Sequence, residues 1–411
     1  MIDQIDENVR TRLQAAVAQH ADAMIAFAQR AIQTRSLPGE EQELATLVKQ
    51  EMERLGYDEV WIDRVGNVIG VLKGQGQGRS VQFNAHLDHV HEGDPALWPY
   101  PPYAGVIHDG VLYGRGACDV KGALAAQVYL VPVLRAAELL PRGDIVVAAV
   151  VLEELGGLGT QTLCQEVRTD VAVLGEPTRL ELRHGHRGRL LIEVDFVGRS
   201  AHASMPEEGA NPLFSLARFL LALEHLPMVT DSVLGPSSVA PTLLRVDQTS
   251  SNVTPAVVTL SLDWRNVPAD TPEAAVERVQ HLARECCQAG ITAQVRLVQR
   301  SVRTYTGIEA TVPPTRGFLL PADHLLVRGA QQVLQHVLGR AVPLGVWRFA
   351  TDGGHLMHAG IPTIGFAPGD DRLAHTVHDQ VSLAELRAGL LGYAALALHL
   401  SALEENEEAR P

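Results

Sequence analysis

The stretch "VQFNAHLDHVHEGD", Val81 to Asp94, crowds three histidines and two aspartates into nine residues directly after a short apolar run. Four further polar groups fall in comparable places: Glu153 and Glu154 after "IVVAAVVL", Glu176 after "VAVLG", His375 shortly after "IPTIGFAPG", and Asp119 in the glycine-rich loop "GRGACDVKG". Imidazoles and carboxylates with no thiolate requirement suit zinc, cobalt or manganese better than calcium or a structural zinc knuckle. Two histidines and three carboxylates are too many for one tetrahedral ion that must keep a water. They suit two ions, on the order of 3.5–4 Å apart, sharing a carboxylate and a water or hydroxide. In the Glu153-Glu154 pair one carboxylate can coordinate while its neighbour takes a proton from the water. Asp88, two residues beyond His86 in extended chain, can accept the second imidazole N–H and fix its tautomer.

Taken singly, these signals are ordinary: His-x-Asp is usually a wet loop and Gly-Glu-Pro a turn. What unites them is position. Each follows a run that is apolar throughout, as strands buried on both faces are, and ligands in open α/β sheets bind beyond the carboxyl ends of such strands. Runs "VIGVL", "VQFNA", "IVVAAVVL" and "VAVLG" alternate with helical stretches, including one over about 122–140, which predicts a mixed, largely parallel sheet flanked by helices. The first 56 residues or so read as helical, broken at "SLPGE". From about Gly188 the texture shifts to "LLIEVDFVG", a helix near 211–225, "VVTLSLDWR", a helix near 271–289 and "TAQVRLV". That pattern predicts helices on one face of an antiparallel sheet, an α+β two-layer domain of ferredoxin-like type inserted at 188–303. A helix near 324–338 and "IPTIGFAPG" resume the first texture, so the first domain is expected to be discontinuous, 1–187 and 304–411.

The bulk properties agree with an enzyme of two domains. The chain has 411 residues, more than one core usually organises, and is 46% hydrophobic and 20% charged. A formal charge of -14 disfavours nucleic acid and anionic membrane surfaces as partners. The start "MIDQIDENVR" lacks a basic and apolar leader, and no later run reads as the roughly 20 apolar residues of a span, so a cytoplasmic location is expected. Cys118, Cys164, Cys286 and Cys287 form no CxxC pattern and read as reduced thiols.

With these residues assembled, the sequence resembles the co-catalytic zinc peptidase and deacylase family that includes acetylornithine deacetylase, succinyl-diaminopimelate desuccinylase, aminoacylase and glutamate carboxypeptidase. The resemblance runs from about Asp22 to Leu400 and rests on "NAHLDHV", "GVLYGRGACDVKGALAA", "VVLEELGGLGT", "LGEPT", "GRSAHASMPEEGANP", "NVTPAVVTLSLDWRNVP" and "AHTVHDQVSL", in the family's order. It implies a zinc-exopeptidase-like catalytic domain with two divalent metal ions, most simply zinc. His86 and Glu176 would complete one metal, Glu154 and His375 the other, with Asp119 bridging, Glu153 as general base and Asp88 behind His86. It further implies that the insert is a lid through which a homodimer forms. His202 would reach the partner's active site and hold the oxyanion, and Arg265 and Asn252 would position substrate, the arginine by gripping a carboxylate with its fork. The implied reaction is hydrolysis of the amide bond of an N-acyl amino acid or short peptide.

Two departures from the family pattern stand out. In "HTVHDQ", Asp379 stands where the family usually has glutamate, and His378 becomes a rival to His375 as ligand. His89 and His91 are extra, and are expected to line the mouth or stay wet. Two other readings of the same residues are an N-carbamoyl amino acid amidohydrolase and a non-catalytic ligand-binding paralogue. Presence of Glu153 and all five ligands argues against the second, and glutamate at 176, where carbamoylase relatives commonly place histidine, against the first.

Overall fold

The computed structural model describes residues 5–403. Its main sheet has nine strands, and the heart of it is a parallel block in which Ile145–Val150, Val81–His86, Val171–Leu174 and Thr363–Gly365 lie side by side. Every residue in these four strands is buried, as the apolar runs require when helices cover both faces. Antiparallel strands extend it, Val68–Leu72 and Glu59–Ile62 on one side and Leu182–His186 and Phe318–Leu319 on the other, and the ninth strand, Leu344–Trp347, pairs parallel with Leu182–His186.

Helices Glu7–Gln33, Gln42–Arg54, Gly122–Val128, Leu130–Ala136, Leu325–Leu338 and Leu383–Ser401 pack around this sheet. The helix expected as one piece near 122–140 is two, and that from 383 is apolar on nearly all sides because it runs through the core against Phe83 and Phe366. The expectation of no span-length apolar run is corrected here. Ala117–Ala136 and Leu383–Ser401 are long and apolar enough to cross a membrane, but both are packed inside the protein, which accounts for their composition.

The chain leaves this sheet after Leu182–His186 and returns at Phe318–Leu319, which pairs antiparallel with the strand it left. Between them lies a second sheet, Ser238–Val246, Val257–Arg265, Leu190–Val197, Thr292–Leu297 in spatial order, every pair antiparallel. Helices Leu213–Leu223 and Pro272–Glu285 cover one face, giving the insert its own core around Ile192, Phe196, Phe219, Trp264 and Val279. Strand, helix, two strands, helix, strand is the split βαβ order. The other face stays polar, held by Glu193 and Asp195 with Arg245 and Arg296.

Candidate metal and catalytic centre

Because four adjacent strands run parallel, their carboxyl ends emerge together. His86 ends one; Glu153 and Glu154 lie three and four residues past Val150; Glu176 lies two past Leu174; His375 follows on the loop after Gly365. Asp119 arrives from the side, at the entrance to the Gly122–Val128 helix, with a cis peptide to Val120.

The side chains converge on two adjoining clusters. Ligand atoms of His86, Glu153 and Glu176 lie within 4.8 Å of one another, as do those of Asp119, Glu154 and His375. Asp119 links them, one carboxylate oxygen 3.3 Å from His86 Nε2 and the other 3.1 Å from His375 Nε2. His375 Nε2 is also 3.0 Å from Glu154 Oε1, and His86 Nε2 is 3.9 Å from Glu176 Oε1. His375 holds a left-handed backbone, φ +61°, a conformation uncommon for a residue with a side chain and the one that turns its ring inward. His378 is exposed and belongs to neither cluster.

The charges of this cluster pull against one another. Burial raises the Glu176 carboxyl to about 8 and lifts Glu153 well above the carboxylate range, with Glu176 and Asp352 adding repulsion. Burial would raise Asp119 too, but hydrogen bonds to His375 and His86 hold it below that range. The same contacts, with Asp119 first and Glu154 next, raise His375 to about 10. So many carboxylates together need cations, and a divalent ion in each cluster would ionise them and free the imidazole nitrogens to coordinate. The donor set fits two such ions.

Asp88 does not act as expected. The Nδ1–H of His86 is placed to donate to the backbone carbonyl of Asp88, 2.7 Å away, while the carboxylate is 3.8 Å off. That carboxylate instead accepts the backbone N–H groups of Glu153 and Glu154, at 3.1 and 3.0 Å. Asp88 thus orients the two glutamates through its carboxylate and the imidazole through its backbone carbonyl. His89 is also corrected. It is buried, its Nε2 accepting the Ser36 N–H at 3.1 Å, and burial holds its pKa at about 3, so it is a neutral structural residue. Only His91 is in solvent. Asp379 is fully buried, accepting from Gly116 N, Cys118 N and Arg115 Nη1 at 2.7, 2.9 and 3.2 Å, and so fixes the loop that presents Asp119.

A cleft of about 610 Å³ opens over the clusters. Its floor includes Asp119, Glu153, Glu154, Glu176 and His375; the insert supplies Arg189, Leu191 and Arg265, and the returning chain Val298, Gln299 and Arg300. Arg265 therefore faces the site. His202 and Asn252 do not line this cleft within one chain: His202 is exposed with Ser204 Oγ 2.7 Å from its Nδ1, and Asn252 is exposed against Ser250.

Several residues of the site escaped sequence reasoning. Asp352, buried, accepts the Thr160 hydroxyl at 2.6 Å, and Thr160 in turn accepts from Asn84 in the His86 strand at 3.0 Å. His355 Nε2 lies 3.0 Å from the Gly156 carbonyl, at the end of the glutamate turn. The one available signal was the polar run "ATDGGH" next to a strand. Arg189 and Arg300 carried none.

A parallel strand block whose ends gather histidines and carboxylates into paired clusters, roofed by an α+β insert, is the frame of a metal-dependent hydrolase. The model of peptidase family M20/M25/M40 matches residues 82–399, and the chain belongs to this family. It is a metallo-hydrolase acting on amide or peptide bonds. Among its relatives, the YgeY protein of Escherichia coli (strain K12) is 30% identical over 375 residues, covering 89% of this chain and 91% of that one. Succinyl-diaminopimelate desuccinylase 2 of Ruegeria sp. (strain TM1040) is 29% identical over 328 residues, 72% of this chain and 83% of the relative. Among solved structures, aminopeptidase PepT from Bacillus cereus ATCC 10987 shares the fold with a TM-score of 0.74 at 19% identity, covering 92% of this chain and 98% of that one. The YXEP protein of Bacillus subtilis, described as a dinuclear metal-binding peptidase, does so at 0.70 and 15%, with 93% and 99% covered.

Proposed function

We propose that this chain hydrolyses the amide bond of an N-acyl amino acid or short peptide bearing a free carboxylate, with two divalent ions, most simply zinc, in its paired clusters. The carrying observation is Asp119, whose two oxygens point separately to His86 and His375 as a bridging carboxylate must. His86 and Glu176 would hold one ion, Glu154 and His375 the other. When bound, the ions supply Lewis acidity and lower the pKa of water. Glu153, whose carboxylate lies in the cluster of His86 and Glu176 and whose backbone N–H Asp88 holds, takes the base's part rather than a ligand's in this reading: it accepts the proton from the attacking water and returns it to the leaving amine. Arg265 grips the substrate carboxylate.

His202 enters from a neighbouring protomer in this reading. Support comes from the insert's outer edge: Leu243 and Leu244 on the edge strand Ser238–Val246 are 60% and 54% exposed, and Phe214 and Leu221, seven apart on one helix face, 63% and 68%. Such an edge and stripe invite a second copy. Four free thiols fit a reducing compartment.

The test is turnover by zinc-, cobalt- and manganese-loaded protein on N-acetyl, N-succinyl and N-carbamoyl amino acids and dipeptides, beside Glu153→Ala. We expect kcat to fall about 10³-fold or more in the variant while metal analysis shows both ions retained. A variant that keeps most of its activity would remove Glu153 as base.

A further inference from the structure

We propose that the substrate carries two anionic groups, one held by Arg265 with Arg189 and the second by Arg300. This deepens the amide-hydrolase reading and rests on it. The backbone ladder sets the first pair: Leu190 opposes Trp264, and the hydrogen bonds between Gly188 and Asn266 continue that register, so Arg189 lies directly across from Arg265 on one sheet face. Like charges in that position destabilise a sheet unless an anion sits between them. Among the described residues Asp263 is the single carboxylate in contact, 3.0 Å from Arg189 Nε and 2.6 Å from Arg265 Nε, and it serves both.

Arg300 stands apart. The last insert strand ends its pairing where Val298 N–H meets the Leu191 carbonyl; beyond that point Thr315 takes the place beside Arg189, and the chain carrying Arg300 swings out over the glutamate turn. Its guanidinium donates to the Glu154 backbone carbonyl at 3.4 Å and has no carboxylate partner among the described residues. It therefore borders the metal clusters with its charge unspent. Two divalent ions would be balanced by the three ligand carboxylates and Glu153, with Asp88 and Asp352 buried behind them on hydrogen bonds of their own; the remaining acid that lines the cleft, Asp371, belongs to the loop of His375 rather than to this wall. The roof is left with more guanidinium than carboxylate. A monoanionic N-acetyl amino acid satisfies one end of it; a dianion, with its second carboxylate on the acyl chain or on the amino-acid side chain, satisfies both.

The experiment pairs isosteres. N-succinyl and N-succinamoyl derivatives of one neutral L-amino acid place the second charge on the acyl arm, and N-acetyl-L-glutamate with N-acetyl-L-glutamine places it on the side chain. Metal-loaded wild type is expected to prefer the dianion in one arm by about 10- to 100-fold in kcat/KM, the range of a charge-assisted pair. The same ratio should fall to within about 3-fold in Arg300→Gln and be partly restored in Arg300→Lys. Equal kcat/KM for dianion and isostere in both arms, or a preference that survives Arg300→Gln, overturns the proposal. Calorimetry of glutarate against its monoamide on metal-loaded protein keeps the test independent of turnover. If no amide is cleaved yet glutarate binds about 10-fold tighter and Arg300→Gln abolishes the difference, the hydrolase reading fails and the two-anion roof stands. Indifference to glutarate sinks the roof alone.

Discussion

At the ends of the parallel strands nearly every chemical residue is fixed by a second group: His86 by the Asp88 carbonyl, Glu153 and Glu154 by the Asp88 carboxylate, the Asp119 loop by Asp379. On the insert the residues implied to meet substrate stand differently. His202 and Asn252 are in solvent on short local contacts, and Arg265 leans on an aspartate it shares. The contrast follows from burial. Strand ends sealed by helices cannot leave a polar group unpaired without a cost of about 1–3 kcal/mol each, so the support becomes as dense as the site. A roof that admits substrate keeps its groups wet, and in the proposed reading their geometry is completed by closure or by a partner.

If dense support is what makes the strand-end region rigid, its most connected buried member should be the most costly to remove. Asp379→Ala would orphan the Gly116 and Cys118 N–H groups and the buried Arg115 guanidinium, which stacks 4.8 Å from the Trp98 ring centre. We expect a loss of about 3–5 kcal/mol of stability, read by urea unfolding, together with loosened metal binding. A change below about 1 kcal/mol would show that the Asp119 loop holds itself, and the contrast between the regions would lose its physical basis.

The roof predicts the opposite signature. His202→Ala should leave unfolding and metal content near wild type while kcat falls about 10²- to 10³-fold, the scale of one oxyanion donor. Mixing His202→Ala with Glu153→Ala protein should then restore part of the activity, because in the proposed dimer a pair with the base on one chain and the histidine on the other has one complete site. No recovery in a mixture shown to exchange subunits would place His202 outside the chemistry.

The same contrast decides how much was legible in the sequence. Fully buried strands announce themselves as apolar runs, so His86, Glu153, Glu154, Glu176 and His375 could be placed at strand ends from their neighbours alone. Asp88 misled because a residue offers a carbonyl as well as a carboxylate, and extended-chain spacing does not say which reaches the imidazole. His89 misled because a histidine among polar neighbours reads as wet, whereas here it is buried to cap the Ser36 N–H. The edge strand Ser238–Val246 gave no pattern because nearly all of it is exposed in one chain, and Pro241 interrupts it at a register shift. Arg189 and Arg300 were invisible for a different reason: they reach the cleft only because the insert folds back over a site built from residues elsewhere in the chain.

Two carboxylates test the contrast at its smallest scale. Burial would raise Glu51 under the N-terminal helices, but hydrogen bonds from Arg54 and Tyr129 and the charge of Arg30 bring it below its ordinary value; burial would likewise raise Glu193 on the insert's open face, but Arg245 and Arg296 lower it. A lowered folded pKa means stability that is fully present above the unfolded pKa, near 4.3 for glutamate, and that is lost as pH falls through the folded value. Both Glu51→Gln and Glu193→Gln should therefore destabilise at pH 7, with the loss shrinking as pH falls below about 4.3 and vanishing only below the lowered folded value. Glu51, whose side chain is 4% exposed and accepts the Tyr129 hydroxyl at 2.6 Å, should cost about 1 kcal/mol. Glu193 faces arginines that are half in water and screened by it, and should cost about 0.5 kcal/mol or less, shrinking further in 0.5 M salt. Equal, salt-independent losses from pH-resolved unfolding would mean that the insert's polar face is as firmly built as the strand-end domain, and that its exposed residues are not waiting for closure.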